Sequence, residues 1–400
     1  EMTSSLVGSE MCIRDRFRER AAALGMTVTV DGIGNQYATF TWIDDEPGVL
    51  IGSHLDSQPL GGRFDGTYGV IAALHAAARV NDEVRAGRLT PTHNLTVVDW
   101  FNEEGARFAP SIMGSSVMVG LLDREKALAT TDPAGVTVKE ALESIDCLGT
   151  DPAPEIAAYA EIHIEQGRIL EREQTTVGAV TQSWYTQKLL VAVRGEQSHT
   201  GATIMSDRHD ALVAASRIVL FTEDVVENFE PEKIVTSVGQ FTVHPNSPIV
   251  VPREVDLVID LRASKKQDVL DARDILRRQI ADLAVERGIR IDVEDYDIRD
   301  IQHYPVDGVE LTEKAAADAG VSCMRIETMA GHDSVAVNRI APSVMVFIPS
   351  VDGVSHCERE FSTDADMVAG VTAFTQIVRR LVTGALDGTT PGEPIKEEVI

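Results

Sequence analysis

From residue 17 onward, short apolar runs that stop abruptly in polar residues alternate with segments whose apolar positions recur at helical spacing, a pattern that predicts an α/β fold. MTVTVDGIGNQYATF (26–40) predicts a hairpin, and GVLIGSH (48–54) and NLTVVDWFNEE (94–104) predict buried strands. Between those two strands, TYGVIAALHAAARVNDEV (67–84) predicts a helix. In AAYAEIHIEQG (157–167) the alternation is clean: Ala160, Ile162 and Ile164 fall on one face, and Glu161, His163 and Glu165 on the other. PSVMVFIPS (342–350) predicts a further strand and residues 363–383 a closing helix.

Near residue 187 the pattern changes. KLLVAVRG, a helix around 207–221, KIVTSVGQFTV, REVDLVIDLRA, a long helix from 265 to 286 and IRIDVEDYDI follow in β-α-β-β-α-β order, the ferredoxin-like split unit. The expected organisation is a catalytic α/β domain over 17–186 and 304–386, an inserted α+β domain over 187–303, and a tail over 387–400. Residues 1–16, EMTSSLVGSEMCIRDR, fit neither a signal peptide nor the start of this fold. MCIRDR resembles the translation of a sequencing adapter, so this stretch is expected to be an artefact.

Composition narrows the function. A 400-residue chain at 44% hydrophobic content can bury substantial cores. No apolar run approaches the roughly 20 residues needed to span a bilayer. A net charge of −27, from 63 acidic against 36 basic residues, argues against nucleic-acid and anionic-membrane partners. Cys12, Cys147, Cys323 and Cys357 form no CxxC pair and read as free thiols in a reducing cytoplasm.

Four polar clusters each follow an apolar strand: His54-Leu55-Asp56, Glu103-Glu104, His163 and His356. In open α/β sheets the crevice beyond the carboxyl ends of the strands is where ligands bind, so one local rule sends all four to the same edge. Asp65, in the glycine-rich loop GGRFDG, opens the helix after the first of these strands. Three imidazoles with carboxylates form a mixed N/O donor set suited to zinc, manganese or cobalt. Asp65 can bridge two ions, and Asp56 is placed to hold the second ring nitrogen of His54. Within the Glu103-Glu104 doublet, Glu104 is expected to ligate metal and Glu103 to act as general base.

Taken singly these features are weak, since a strand-end histidine is more often structural and an aspartate in a glycine-rich loop usually makes a turn. Together they carry a longer resemblance. GSHLDSQPLGGRFDGTYGV, FNEEGARFAPSIMGS, EIHIEQGRILE, GEQSHTGATIMSDRHDAL, AGHDSVAV and GVSHCERE resemble the hydantoinase/carbamoylase family of metal-dependent amidases, in the wider aminoacylase and carboxypeptidase clan. The resemblance runs from about residue 26 to 383. It implies a zinc-peptidase-like catalytic domain with a mixed central sheet and an inserted ferredoxin-like lid and dimerisation domain. It implies two divalent ions (Zn, Mn or Co), one held by His54, Asp65 and His163 and the other by Asp65, Glu104 and His356. It further implies Glu103 as general base, and His199 reaching a partner's active site to polarise the attacked carbonyl. Arg262 would grip a substrate carboxylate, and Gln166 is a polar contact at the site.

The implied reaction is hydrolysis of the C–N bond of an N-carbamoyl-L-amino acid or related ureido compound, in a homodimer paired through the lid domain. Three alternatives stand beside it: allantoate or ureidoglycolate hydrolysis, a peptidase or aminoacylase, and a catalytically silent metal-binding protein. One departure from the family pattern falls in SPIVVP, where Ile249 occupies the position of an expected Asn. The substrate end of the site is therefore where this chain is expected to differ.

Overall fold

The computed structural model describes residues 2–392, with side chains from residue 13 onward. Cys12 and residues 393–400 of the expected tail therefore lie outside the described side chains. The described chain divides into two units, one of residues 2–182 with 302–392 and the other Ser183–Ile301. The first boundary falls ahead of the expected residue 187, because the strand that opens the second unit starts in the polar stretch YTQ before its apolar run begins.

The first unit is built on an eight-stranded sheet. Its strands are β1 (Thr27–Val30), β2 (Gln36–Phe40), β3 (Gly48–His54), β4 (Asn94–Trp100), β5 (Ile156–Ile164), β6 (Val177–Ser183), β13 (Cys323–Thr328) and β14 (Ser343–Ile348), in the order β1-β2-β4-β3-β5-β14-β6-β13. The middle of the sheet, β4-β3-β5-β14, is parallel. The β1-β2 hairpin joins β4 antiparallel and β6 joins β14 antiparallel, which makes the sheet mixed. Every residue of β3 and β4 is buried, which is why these strands read as continuous apolar runs rather than as alternation. Helices Thr67–Arg85, Val306–Ala319 and Asp364–Leu381 share one apolar core with the sheet, contributing Ala73, Val80, Leu311, Phe374 and Ile377 among others. The last helix is capped by Thr363, whose Oγ1 accepts from the Asp366 amide, and carries acids in its first turn and Arg379 and Arg380 in its last, complementing the helix dipole.

The first helix runs Met2–Ala23, through the stretch that the sequence set apart from the fold. Arg14 within it is buried, with Nε 3.7 Å from Asp99 Oδ2 and its guanidinium over the Phe101 ring. Asp99 is fully buried in β4, and burial pushes its carboxyl up to about 6.

The second unit holds a four-stranded antiparallel sheet of β7 (Tyr185–Arg194), β9 (Ile234–His244), β11 (Glu254–Ala263) and β12 (Arg290–Arg299), in the order β12-β7-β11-β9. Strand β11 alternates buried and half-buried residues along its length, turning Val255, Leu257, Ile259 and Leu261 onto the helices Ala211–Asp224 and Lys266–Arg287. A short ribbon pairs β8 (Ser198–His199) with β10 (Val250–Val251).

In β3, Gly52 lies directly opposite Val98 of β4, and a Cβ at position 52 would come 2.1 Å from the Val98 carbonyl oxygen. The obstacle is paired backbone, which cannot rotate away. Gly52→Ala is therefore expected to destabilise the fold by about 2–3 kcal/mol or more, read as a fall in thermal midpoint, whereas an unchanged midpoint would show that β3 and β4 can spread.

Candidate metal centre

Parallel strands present their carboxyl ends on one edge, and the sequence places a metal-ligand type at each end. His54 closes β3, Glu103 and Glu104 follow β4, and His163 is the penultimate residue of β5. Asp65 precedes Gly66, the N-cap of helix Thr67–Arg85. Gly66 has φ +63°, and a Cβ there would meet the His54 ring at 2.3 Å, so only glycine lets the turn pass this imidazole. His356 comes from the loop after β14 and itself sits at φ +55°, outside the usual range for a residue with a side chain.

These groups converge on the Asp65 carboxylate. Oδ1 lies 3.0 Å from His163 Nε2 and 3.6 Å from His54 Nε2, and Oδ2 lies 3.2 Å from His356 Nε2. His356 Nε2 is in turn 3.4 Å from Glu104 Oε2. Two sets of donor atoms result, His54-Asp65-His163 and Asp65-Glu104-His356, each with its atoms within 4.8 Å of one another. Glu103 stands beside the first set, with Oε2 3.5 Å from His54 Nε2.

Backbone carbonyls orient the rings. His163 Nδ1 donates to the Ile164 carbonyl at 2.8 Å and His54 Nδ1 to that of Asp56 at 3.0 Å, which leaves each Nε2 facing the centre. The Asp56 carboxylate faces the same ring, its Oδ1 3.7 Å from His54 Nδ1, and also accepts from the amides of Glu103 and Glu104, at 3.2 and 3.1 Å. The ends of β3 and β4 lie side by side, so the backbone amides just beyond β4 reach the Asp56 carboxylate while the Asp56 backbone carbonyl takes the imidazole. Gln166 lies on the Asp65 carboxylate, its Nε2 2.6 Å from Oδ2.

The electrostatics are those of a site made for positive charge. Burial favours the neutral form of Asp65, but hydrogen bonds and charges from His163, His356 and His54 outweigh it and hold the carboxyl well below its ordinary range. Burial opposes charging His163, yet its bond to Asp65 pushes the ring up to about 9. Glu103 is raised well above its ordinary range, first by burial and then by the charges of Asp333, Glu104, Asp56 and Asp65. Three imidazole Nε2 atoms turned onto one carboxylate make a donor set that fits divalent metal in place of ring protons.

Of the remaining expected residues, His199 is exposed on β8, and its Nδ1 accepts from the amides of Gly201 and Ala202. Arg262 lies on β11, two residues from Asp260, which it grips through Nε at 3.2 Å and Nη2 at 2.7 Å. Ile249 is 68% exposed. Four groups went unassigned from sequence. Gln58 donates to the Glu104 carboxylate, Ser355 to that of Asp65, Glu360 accepts from the Asp65 amide, and His332 packs its ring 4.7 Å from that of His163. Their signal lay inside the motifs GSHLDSQ, GVSHCERE and AGHDSVAV, but pattern alone does not separate a supporting residue from a spacer.

Comparison with known proteins agrees with this geometry. The family model of Peptidase family M20/M25/M40 matches residues 50–380. The chain belongs to this family of metal-dependent hydrolases, in its hydantoinase/carbamoylase branch, whose members act on C–N bonds other than peptide bonds. A putative hydrolase of Mycolicibacterium smegmatis is 46% identical over 96% of this chain and 88% of its own length. The N-carbamoyl-L-amino-acid amidohydrolase of Rhizobium meliloti is 35% identical over 87% and 83%. The crystal structure of a hydantoinase/carbamoylase family amidase from Burkholderia vietnamiensis superposes with a TM-score of 0.88 at 35% identity, covering 94% of this chain and 90% of that one.

A proton on His163 must leave before its Nε2 can ligate. With the ring at about 9, the chelator-stripped chain is expected to release a proton to buffer on binding zinc at pH 7. Calorimetric enthalpies measured in buffers of different ionisation enthalpy should therefore diverge at pH 7 and converge as the pH rises past that of the ring. Buffer-independent enthalpies at pH 7 would show that His163 is not displaced from a charged state.

Proposed function

We propose that the chain hydrolyses the C–N bond of N-carbamoyl-L-amino acids or closely related ureido compounds carrying a carboxylate, using two divalent ions. The observation that carries this reading is the Asp65 carboxylate, whose two oxygens each face a separate donor set. Zinc, manganese and cobalt all suit these imidazole and carboxylate ligands. When bound, such ions lower the pKa of a water molecule and polarise a carbonyl oxygen.

The residues of the chain do the rest. Glu103 is buried beside His54 and is not needed as a ligand, so it takes the proton from the attacking water and delivers it to the leaving nitrogen. Its proton affinity, raised by burial and by the neighbouring carboxylates, suits a group that must first accept a proton and then pass it on. Asp56 binds the amides of both Glu103 and Glu104, which fixes the direction in which each of the doublet's side chains leaves the backbone. Arg262, held planar against Asp260, pairs with the substrate carboxylate, and His199 of a partner subunit donates to the carbonyl oxygen. For an N-carbamoyl amino acid the products are the amino acid, ammonia and carbon dioxide.

A homodimer through the second unit is supported by β9, an edge strand that exposes Val235 and Phe241. A cytoplasmic setting is supported by Cys147, Cys323 and Cys357, all free thiols. Among the described residues, no helix is long and apolar enough to cross a membrane.

Two measurements test the reading. Glu103→Gln keeps the shape of the side chain and is expected to leave metal content unchanged while kcat falls by about 10²–10⁴; loss of metal would mean that the two glutamates have exchanged roles. A substrate panel on the metal-reconstituted chain is expected to show turnover of N-carbamoyl-L-amino acids, and turnover of allantoate alone would replace that substrate class.

A further inference from the structure

Glu360 has no part in the reaction described above, yet it is 4% exposed and lies four residues beyond His356. Its Oε1 accepts from the amides of Phe64 and Asp65, at 2.9 and 3.0 Å. Its Oε2 lies 2.8 Å from Ser355 Oγ, and that hydroxyl is 2.9 Å from Asp65 Oδ2. One side chain thus ties the loop that carries Asp65 to the loop that carries His356. The packing leaves no slack, since a Cβ at Gly62 would come 2.0 Å from Glu360 Oε1.

The two donor sets differ in what else holds them. His54 and His163 stand at strand ends, 1% exposed, with their rings fixed by backbone carbonyls. The His356 side chain is 50% exposed and leaves a loop at φ +55°, so neither a strand nor a buried pocket sets its place. Ser355, beside it, is the residue that Glu360 holds.

We propose that Glu360 is a positioning residue that sets the spacing of Asp65 and His356, and through it the affinity of the Asp65-Glu104-His356 position alone. The inference rests on the two-ion reading of the site. The His54-Asp65-His163 position depends on the strands and keeps its ion without Glu360. Asp65 itself is also held from elsewhere, by Gln166 and by the opening turn of helix Thr67–Arg85, where the Thr67 amide donates to its carbonyl.

The test is calorimetric titration of the chelator-stripped chain with Zn²⁺ alone, with metal content measured after gel filtration. The wild-type chain is expected to take two ions. Glu360→Ala is expected to take the first with unchanged affinity and the second about 10–100-fold more weakly. Glu360→Gln keeps an acceptor for both amides and a partner for Ser355, and is expected to retain both ions. Adding Glu360→Ala to His356→Ala is expected to weaken zinc no further, since both changes act on the same position. If circular dichroism shows Glu360→Ala unfolded, Glu360→Asp, a carboxylate withdrawn from Ser355, replaces it and is expected to weaken the second ion only. Two ions bound as in wild type by Glu360→Ala (or by Glu360→Asp in its stead), or both weakened together in the folded variant, would overturn the proposal. A wild-type chain that takes fewer than two ions would overturn the two-ion reading itself, a result distinct from either.

Discussion

Asp65 brings one buried carboxylate against imidazoles from β3, from β5 and from the loop after β14. A charged group in that position is costly to desolvate unless it is paired, and here the pairing spans three separate segments of chain. Much of the first unit is arranged around that requirement. The parallel strands set His54 and His163 side by side, the glycine turn at Gly66 lets Asp65 approach the His54 ring, and the loop after β14 closes the far side with His356.

Around this centre the chain places more carboxylates than it places cations. Glu103, Glu104, Asp56, Asp333 and Asp65 all appear among the groups that burial or mutual repulsion acts upon. Such crowding opposes the ionised state of Glu103, Glu104 and Asp333 and favours whatever positive charge can enter. Fixed donors limit the cost: Asp56 takes two backbone amides, Glu360 takes two more, and Glu161 takes Ser53, Tyr159 and the Ser334 amide. The acids are thus fixed by hydrogen bonds from outside the centre, while the imidazoles on Asp65 offset part of their charge within it.

The strands that carry the candidate donors were legible because they are buried on both faces and end abruptly in polar residues, as GVLIGSH and TVVDWFN do. The alternation in AAYAEIHI likewise set His163 on one face with Glu161 and Glu165. Less legible were elements with mixed composition. Strands β6 and β13 carry glycine and charged residues among their apolar ones, and the helices Met113–Met118, Arg124–Leu128 and Val138–Ser144 are too short for helical periodicity to accumulate. The burial of Arg14 against Asp99 depends on packing that no local pattern encodes.

By itself the sequence determined the fold class and a candidate set of metal donors, because strand burial and donor chemistry are both written into short stretches of residues. His54, Asp65, Glu104, His163 and His356 could each be placed at a strand end or a turn from the few residues around them. Tertiary structure alone decided which groups support which. Asp56 came to accept from two amides, Gln166 came to lie on Asp65, and Glu360 joined two loops 295 residues apart. The reason is that a hydrogen bond is settled by distances of a few tenths of an ångström, and those are set by how strands pack rather than by the order of residues along any one of them.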